Sequence, residues 1–255
     1  MTFRFALAAM ASLAALSALP VVASAAAPVK NIVLVHGAFA DGSGWKPVAD
    51  ILIHDGYHVS IVQEPETSIA DDVTGTKRIL DGLSGPAVLV GHSYGGAVIT
   101  EAGNDPNVAS LVYVAAFAPD AGQTLGALAG SMPSAAKSIT PTKDGYLYVD
   151  PAKFPADFAA GVPLAEAKFM AMSQVLVNGQ VFGTPITTPA WKAKPSFAIV
   201  ATEDRMINPN LERAMYKHAD MTVTALKGSH AIFLVQPRAV AKVIEEAAQS
   251  AEKAS

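Results

Sequence analysis

The chain of 255 residues contains no cysteine. That excludes disulfides, thiolate metal sites and cysteine nucleophiles together, and leaves the apolar core to supply the stability. Charge is scarce as well: 16% of residues are Asp, Glu, Lys or Arg, the net charge is -4, and no run of Lys or Arg occurs. A nucleic-acid backbone or an anionic membrane surface therefore finds no basic footprint. Neither Gly-x-Gly-x-x-Gly nor Gly-Lys-Ser/Thr is present, and nucleotide binding falls away with them. The longest apolar stretch is confined to the start, where Arg4 precedes Phe5 to Leu19, Pro20 and the small-residue run Val-Val-Ala-Ser-Ala-Ala-Ala. It is shorter than the ~20 residues that span a bilayer and ends on Ala-x-Ala, so residues 1–25 read as a secretory signal cleaved after Ala25. Cleavage removes one arginine and no acid, leaving 17 basic against 22 acidic side chains. The expected location is the periplasm or the medium, with no stable membrane insertion afterwards.

What is present is apolar: 51% of residues are hydrophobic, enough for residues 26–255 to form one α/β domain. Short β-branched runs alternate with longer amphipathic segments, the pattern of a mainly parallel sheet with helices on both faces. The runs predict six strands, at Ile32–Val35, Val59–Val62, Ala87–Val90, Leu111–Ala115, Phe197–Ala201 and Thr222–Leu226. Helices are predicted near Trp45–His54, Ile69–Leu83, Ser93–Ala102, Asn210–Ala219 and Pro237–Ala248. The alternation breaks once. Between Pro119 and Pro189 lie eight of the seventeen prolines and no run suited to a buried central strand, which predicts an ordered lid inserted at about 119–190. Within it, Tyr146–Val149 reads as a hairpin strand and Leu164–Val177 as a helix.

Val88 to Ala97 reads Val-Leu-Val-Gly-His-Ser-Tyr-Gly-Gly-Ala. A strand running through Gly-x-Ser-x-Gly into a helix is the sequence form of a nucleophile elbow, and it singles out Ser93. A neutral hydroxyl needs a proton acceptor. Of six histidines, His230 is best placed, in a loop between the last predicted strand and the final helix. His54, His58 and His218 read as surface residues, His92 as local packing within the elbow, and His36 as a brace for the first loop. The base needs an acid to fix its tautomer. Asp204, after the strand Phe197–Ala201, is preferred over Asp120 and Glu203, and gives the chain order Ser, Asp, His. Oxyanion donors are expected at the amide of Tyr94 and, in the glycine-rich loop of residues 35–45, at the amide of Ala38.

Four segments carry a family resemblance: His36-Gly37-Ala38-Phe39-Ala40-Asp41-Gly42-Ser43-Gly44-Trp45, Gly91-His92-Ser93-Tyr94-Gly95-Gly96, Val112 to Asp120 and Gly228-Ser229-His230-Ala231. In their order they resemble the α/β-hydrolase family that includes plant methylesterases and hydroxynitrile lyases, whose bacterial members are usually assigned as small-ester carboxylesterases. The resemblance implies a six-stranded parallel core, a lid after the fourth strand and no cofactor. It also implies Ser93, Asp204 and His230 as the triad, with Ala38 and Tyr94 at the oxyanion. Lyase members typically carry a threonine after the loop histidine and a lysine after the catalytic one; here those positions are Gly37 and Ala231. The expectation is a serine hydrolase for small, largely uncharged esters or lactones, ahead of a cyanohydrin lyase or a non-catalytic small-ligand receptor. Phe39 and Phe117 are expected to line the substrate pocket, Trp45 and Phe233 to belong to the core, and the lid residues Phe154 and Phe158 to close over the ligand.

Overall fold

The computed structural model describes Met1 and residues 29–254, so the signal segment read at residues 1–25 lies, Met1 aside, outside the described residues. Six parallel strands make the main sheet: β1 (Asn31–Val35), β2 (His58–Val62), β3 (Ala87–His92), β4 (Val108–Val114), β8 (Ser196–Ala201) and β9 (Thr222–Leu226). Their spatial order is β2-β1-β3-β4-β8-β9. The central strands β1 and β3 are buried along their whole length, whereas the edge strands β2 and β9 are mostly half-buried or exposed. Strands covered on both faces read as unbroken apolar runs, and strands at the margin do not.

Helices α1 (Lys46–His54), α2 (Ile69–Asp81) and α3 (Gly95–Ala102) make the first crossovers. A right-handed connection from β1 outward to β2 puts α1 on one face, and the return from β2 past β1 to β3 puts α2 on the other, where it meets α3. The loops leaving β1 and β3 thus diverge from adjacent strands, and the crevice between their carboxyl ends is the switch point at which open α/β sheets hold their ligands. After β4 comes the insertion: α4 (Leu125–Ser131), β5 (Ile139–Pro141), β6 (Tyr146–Val149), α5 (Phe154–Asp157), α6 (Leu164–Met172) and β7 (Val177–Asn178). Strands β5, β6 and β7 form a small antiparallel sheet of their own. Helix α7 (Pro209–His218) packs on β8, α8 (Ile232–Val235) follows the last loop, and α9 (Pro237–Ala254) lies on α1 and β4.

Each predicted strand of the main sheet is found, within a few residues. The predicted helix over Leu164–Val177 is shorter, because α6 stops at Met172 and the chain turns to pair β7 with β6.

Candidate active site

At the end of β3 the chain turns so sharply that Ser93 takes φ 52°, a left-handed conformation that costs a residue with a Cβ about 1–3 kcal/mol. Glycines make the turn possible. A Cβ on Gly91 would stand 2.5 Å from the carbonyl oxygen of Gly95, and one on Gly95 would collide with the carbonyl of His36. The amide of Ser93 donates to Val114 and its carbonyl accepts from Phe117, so β4 holds the elbow open.

The serine hydroxyl then lies 2.8 Å from His230 Nε2, and His230 Nδ1 lies 2.6 Å from Asp204 Oδ2. All three residues are buried. The other oxygen of Asp204 accepts from the amides of Met206 and Ile207, at 2.7 and 2.9 Å. With both oxygens engaged as acceptors, Asp204 fixes the proton of His230 on Nδ1 and leaves Nε2 as the acceptor facing Ser93. Helix α7 adds a second acid behind it: Glu212 is buried, takes the amide of Ala201 at 3.2 Å, and is pushed well above the usual carboxylate range by burial and then by the charge of Asp204. The two weaker candidates lie elsewhere. Asp120 pairs with Lys192 and with His218, and Glu203 is exposed near Lys227.

A cavity of about 200 Å³ opens above the serine. The main body lines it with Ala38, Phe39, Tyr94, Phe117, Met206 and Ile207, and the insertion with Gly126, Ala129, Ile139, Leu147 and Phe182. Besides Ser93 and His230 its polar side chains are Ser134 and Tyr94, and the Tyr94 hydroxyl is spent on Asp72 at 2.6 Å. Neither the Ala38 nor the Tyr94 amide donates to another protein group among the described residues. Phe39, like Ser93, has a left-handed backbone, at φ 67°. One expectation changes. Phe154 and Phe158 are wholly buried and do not line the cavity; they stack on one another at 4.6 Å, and Phe158 meets the His230 ring edge-on at 4.8 Å. Trp45 and Phe233 pack together at 4.9 Å in the core, as expected.

A model of the alpha/beta hydrolase family matches residues 32–243. The chain belongs to that family. A pyrethroid hydrolase from Sphingobium wenxiniae is 29% identical over 253 residues, covering 87% of this chain and 89% of that one. A carbendazim hydrolyzing esterase from a Nocardioides species is 37% identical over 113 residues, which is 38% of this chain and 46% of that one. A methylesterase from Arabidopsis shares the fold with a TM-score of 0.73 at 17% identity, over 87% of this chain and the whole of the other.

The loop after β1 rests on a buried polar layer, in which His36 is the brace expected from the sequence and the acids around it are unforeseen. His36 Nε2 accepts from the amide of Glu64 at 2.9 Å, so its proton sits on Nδ1, facing the carbonyl of Gly37 at 3.1 Å and Glu66 Oε1 at 3.5 Å. His36, Glu64 and Glu66 place ligand atoms within 4.8 Å of one another. With that tautomer, however, His36 presents a proton to the shared space where a metal would need a lone pair. Glu64 is raised well above the usual range by burial and then by Asp72 and Glu66; burial likewise lifts Glu66 to about 7 and raises Asp72. Asp72 ties the layer to the site by accepting from the Tyr94 hydroxyl and from the amide of Glu66.

Proposed function

We propose that the protein is a serine esterase that cleaves small, largely uncharged carboxylic esters or lactones through an acyl-enzyme. The observation that carries this reading is the line from Ser93 Oγ through His230 to Asp204, at 2.8 and 2.6 Å, at the foot of an apolar cavity. Ser93 attacks the carbonyl while His230 Nε2 takes its proton. The tetrahedral oxyanion meets the amides of Ala38 and Tyr94, donors already oriented by strained loops, so little reorganisation is needed as charge develops. His230 passes the proton to the departing alcohol, and water repeats the steps to release the acid. Phe39 and Phe117 hold the apolar part of the ester. With no charged side chain in the lining, a charged substituent would be desolvated without a partner, which costs several kcal/mol. The relatives named as a pyrethroid hydrolase and a carbendazim hydrolyzing esterase fit hydrolysis of this kind.

The cyanohydrin-lyase alternative lacks its cation at Ala231. Its threonine would have to replace Gly37, where a Cβ would stand 2.6 Å from the Ser93 Cβ. The test is to treat the purified protein with a serine-directed fluorophosphonate and with short p-nitrophenyl esters, beside Ser93→Ala. Labelling and turnover that vanish in the variant support the reading. An unlabelled wild-type protein favours a receptor, and hydrogen cyanide released from mandelonitrile faster than ester is cleaved favours the lyase. We propose further that residues 1–25 direct export to the periplasm or medium, and that residues 26–255 are one domain whose lid spans about 119–190. N-terminal sequencing of exported protein should begin at Ala26.

A further inference from the structure

We infer that His92 is a positioning residue of the reaction: its neutral imidazole pins the backbone of His230 and so sets the reach of the base to Ser93. The inference rests on the triad reading above. His92 is the last residue of β3, wholly buried, and one position before the nucleophile. Its Nε2 lies 3.0 Å from the carbonyl oxygen of His230, 138 residues away in sequence. A carbonyl can only accept, so Nε2 carries the hydrogen and Nδ1 is left as a lone pair.

Nδ1 has no hydrogen-bond partner, and it faces Gly37, where a Cβ would come within 2.9 Å. A proton added there would be a buried donor without an acceptor. Burial, and after it the neighbouring charge of His230, holds His92 well below the usual imidazole range. His92 thus stays neutral while His230, its ring 4.6 Å away, takes up positive charge during the reaction. Phe233 at 4.7 Å and Phe158 at 6.0 Å hold the ring at this angle.

The other anchors of the histidine loop act on its neighbours: Gly228 accepts from the amide of Glu203 at 2.9 Å, and the amide of Ala231 donates to Phe158 at 3.1 Å. Only the bond from His92 holds the carbonyl of His230 itself among the described residues. Since His92 and Ser93 are consecutive, that bond ties the base to the segment that carries the nucleophile. Losing it orphans a buried carbonyl and frees the ring to shift, and a shift of about 1 Å between reacting groups costs about 100-fold in rate.

The test compares H92Q, which places an N–H donor at a similar reach, with H92N, which is too short, and H92F, which keeps the ring and loses the donor. On p-nitrophenyl butyrate, H92F and H92N should lower kcat by about 10- to 100-fold with KM within about twofold, and H92Q should recover most of the loss. Fluorophosphonate labelling rates should follow kcat, with thermal unfolding used to check that each variant is folded. H92F or H92N at the wild-type kcat, or a folded H92Q no better than H92N, overturns the inference. Should H92F not fold, H92Q against H92N decides alone. A wild-type protein that neither turns over the ester nor takes the label removes the triad reading, and this inference with it.

Discussion

Two histidine–aspartate pairs far apart in sequence have nearly the same length and opposite surroundings. His230 and Asp204 lie 2.6 Å apart at the foot of the apolar cavity; His218 and Asp120 lie 2.9 Å apart near the surface, where His218 lines an open cleft of about 390 Å³. The first pair is shut away, with side-chain exposures of 1% and 0%; in the second, His218 is 61% exposed and Asp120 also binds Lys192. The contact is the same, and the surroundings assign the work. Asp204 accepts two amides of its own loop on one oxygen and turns the other to the histidine that faces Ser93, with no cation beside it among the described residues. Asp120 has a permanent cation beside it, and its histidine faces Trp191 rather than a serine.

The sharpest way to break this comparison is to neutralise both acids in turn. D204N should lower kcat by about 10⁴, because the imidazole loses its tautomer and the stabilisation of its charged form. D120N should leave ester turnover within about twofold, as exposed pairs far from the chemistry contribute little. A large loss in D120N with a small one in D204N would move the acid to the other pair. The next effect in size tests how tightly the buried site is built. G37T should cost at least about 100-fold in kcat/KM, since a Cβ there must displace Ser93 or His92. Activity within a few-fold of wild type would mean that the loop of residues 36–39 yields freely.

Much of this was legible along the chain. Strands buried on both faces announce themselves as apolar runs, and the elbow glycines sit where any side chain would strike backbone, so both leave marks on neighbouring residues. The order of Ser93, Asp204 and His230 was visible for the same reason: each follows a recognisable strand. The insertion was less legible because α4, β5 and β7 are short, and β7 is two residues long. Phe154 and Phe158 read as lid residues that close on ligand; contacts across the fold turn Phe158 onto His230 instead, with Phe154 stacked behind it. The acids of the polar layer were invisible. Glu64, Glu66 and Asp72 look like ordinary surface acids in sequence, and only the packing of α2 against the sheet buries them. His92 passed as filler because its partner lies 138 residues away.

That polar layer supplies a third contrast, in stability against pH. Glu66 binds its proton more tightly folded, up to about pH 7, than the usual 4.5 of an unfolded chain. Its contribution is therefore whole below pH 4.5 and is lost as the pH rises towards 7, by up to about 3 kcal/mol for a shift of this size. E66Q should reduce the fall in chemical-denaturation stability between pH 4.5 and 8 by the part due to Glu66, leaving the part due to the other raised carboxyls, Glu64, Asp72, Glu212 and Glu245. An unchanged slope would mean that Glu66 is charged throughout.

The smallest effect belongs to the surface pair, and its sign is opposite. Asp120 is held down to about 2 by the hydrogen bond to His218 first and by Lys192 after it. A depressed carboxyl stabilises the fold above its unfolded value of 3.8 and loses that contribution as the pH falls through about 2. Solvent screens the pair, so D120N should cost about 0.5 kcal/mol at pH 7 and nothing measurable near pH 2. Salt separates it further from Glu66: 1 M sodium chloride should erase most of the D120N difference, because the Debye length shrinks to about 3 Å. The E66Q difference, set by burial rather than by an exposed ion pair, should survive the same salt.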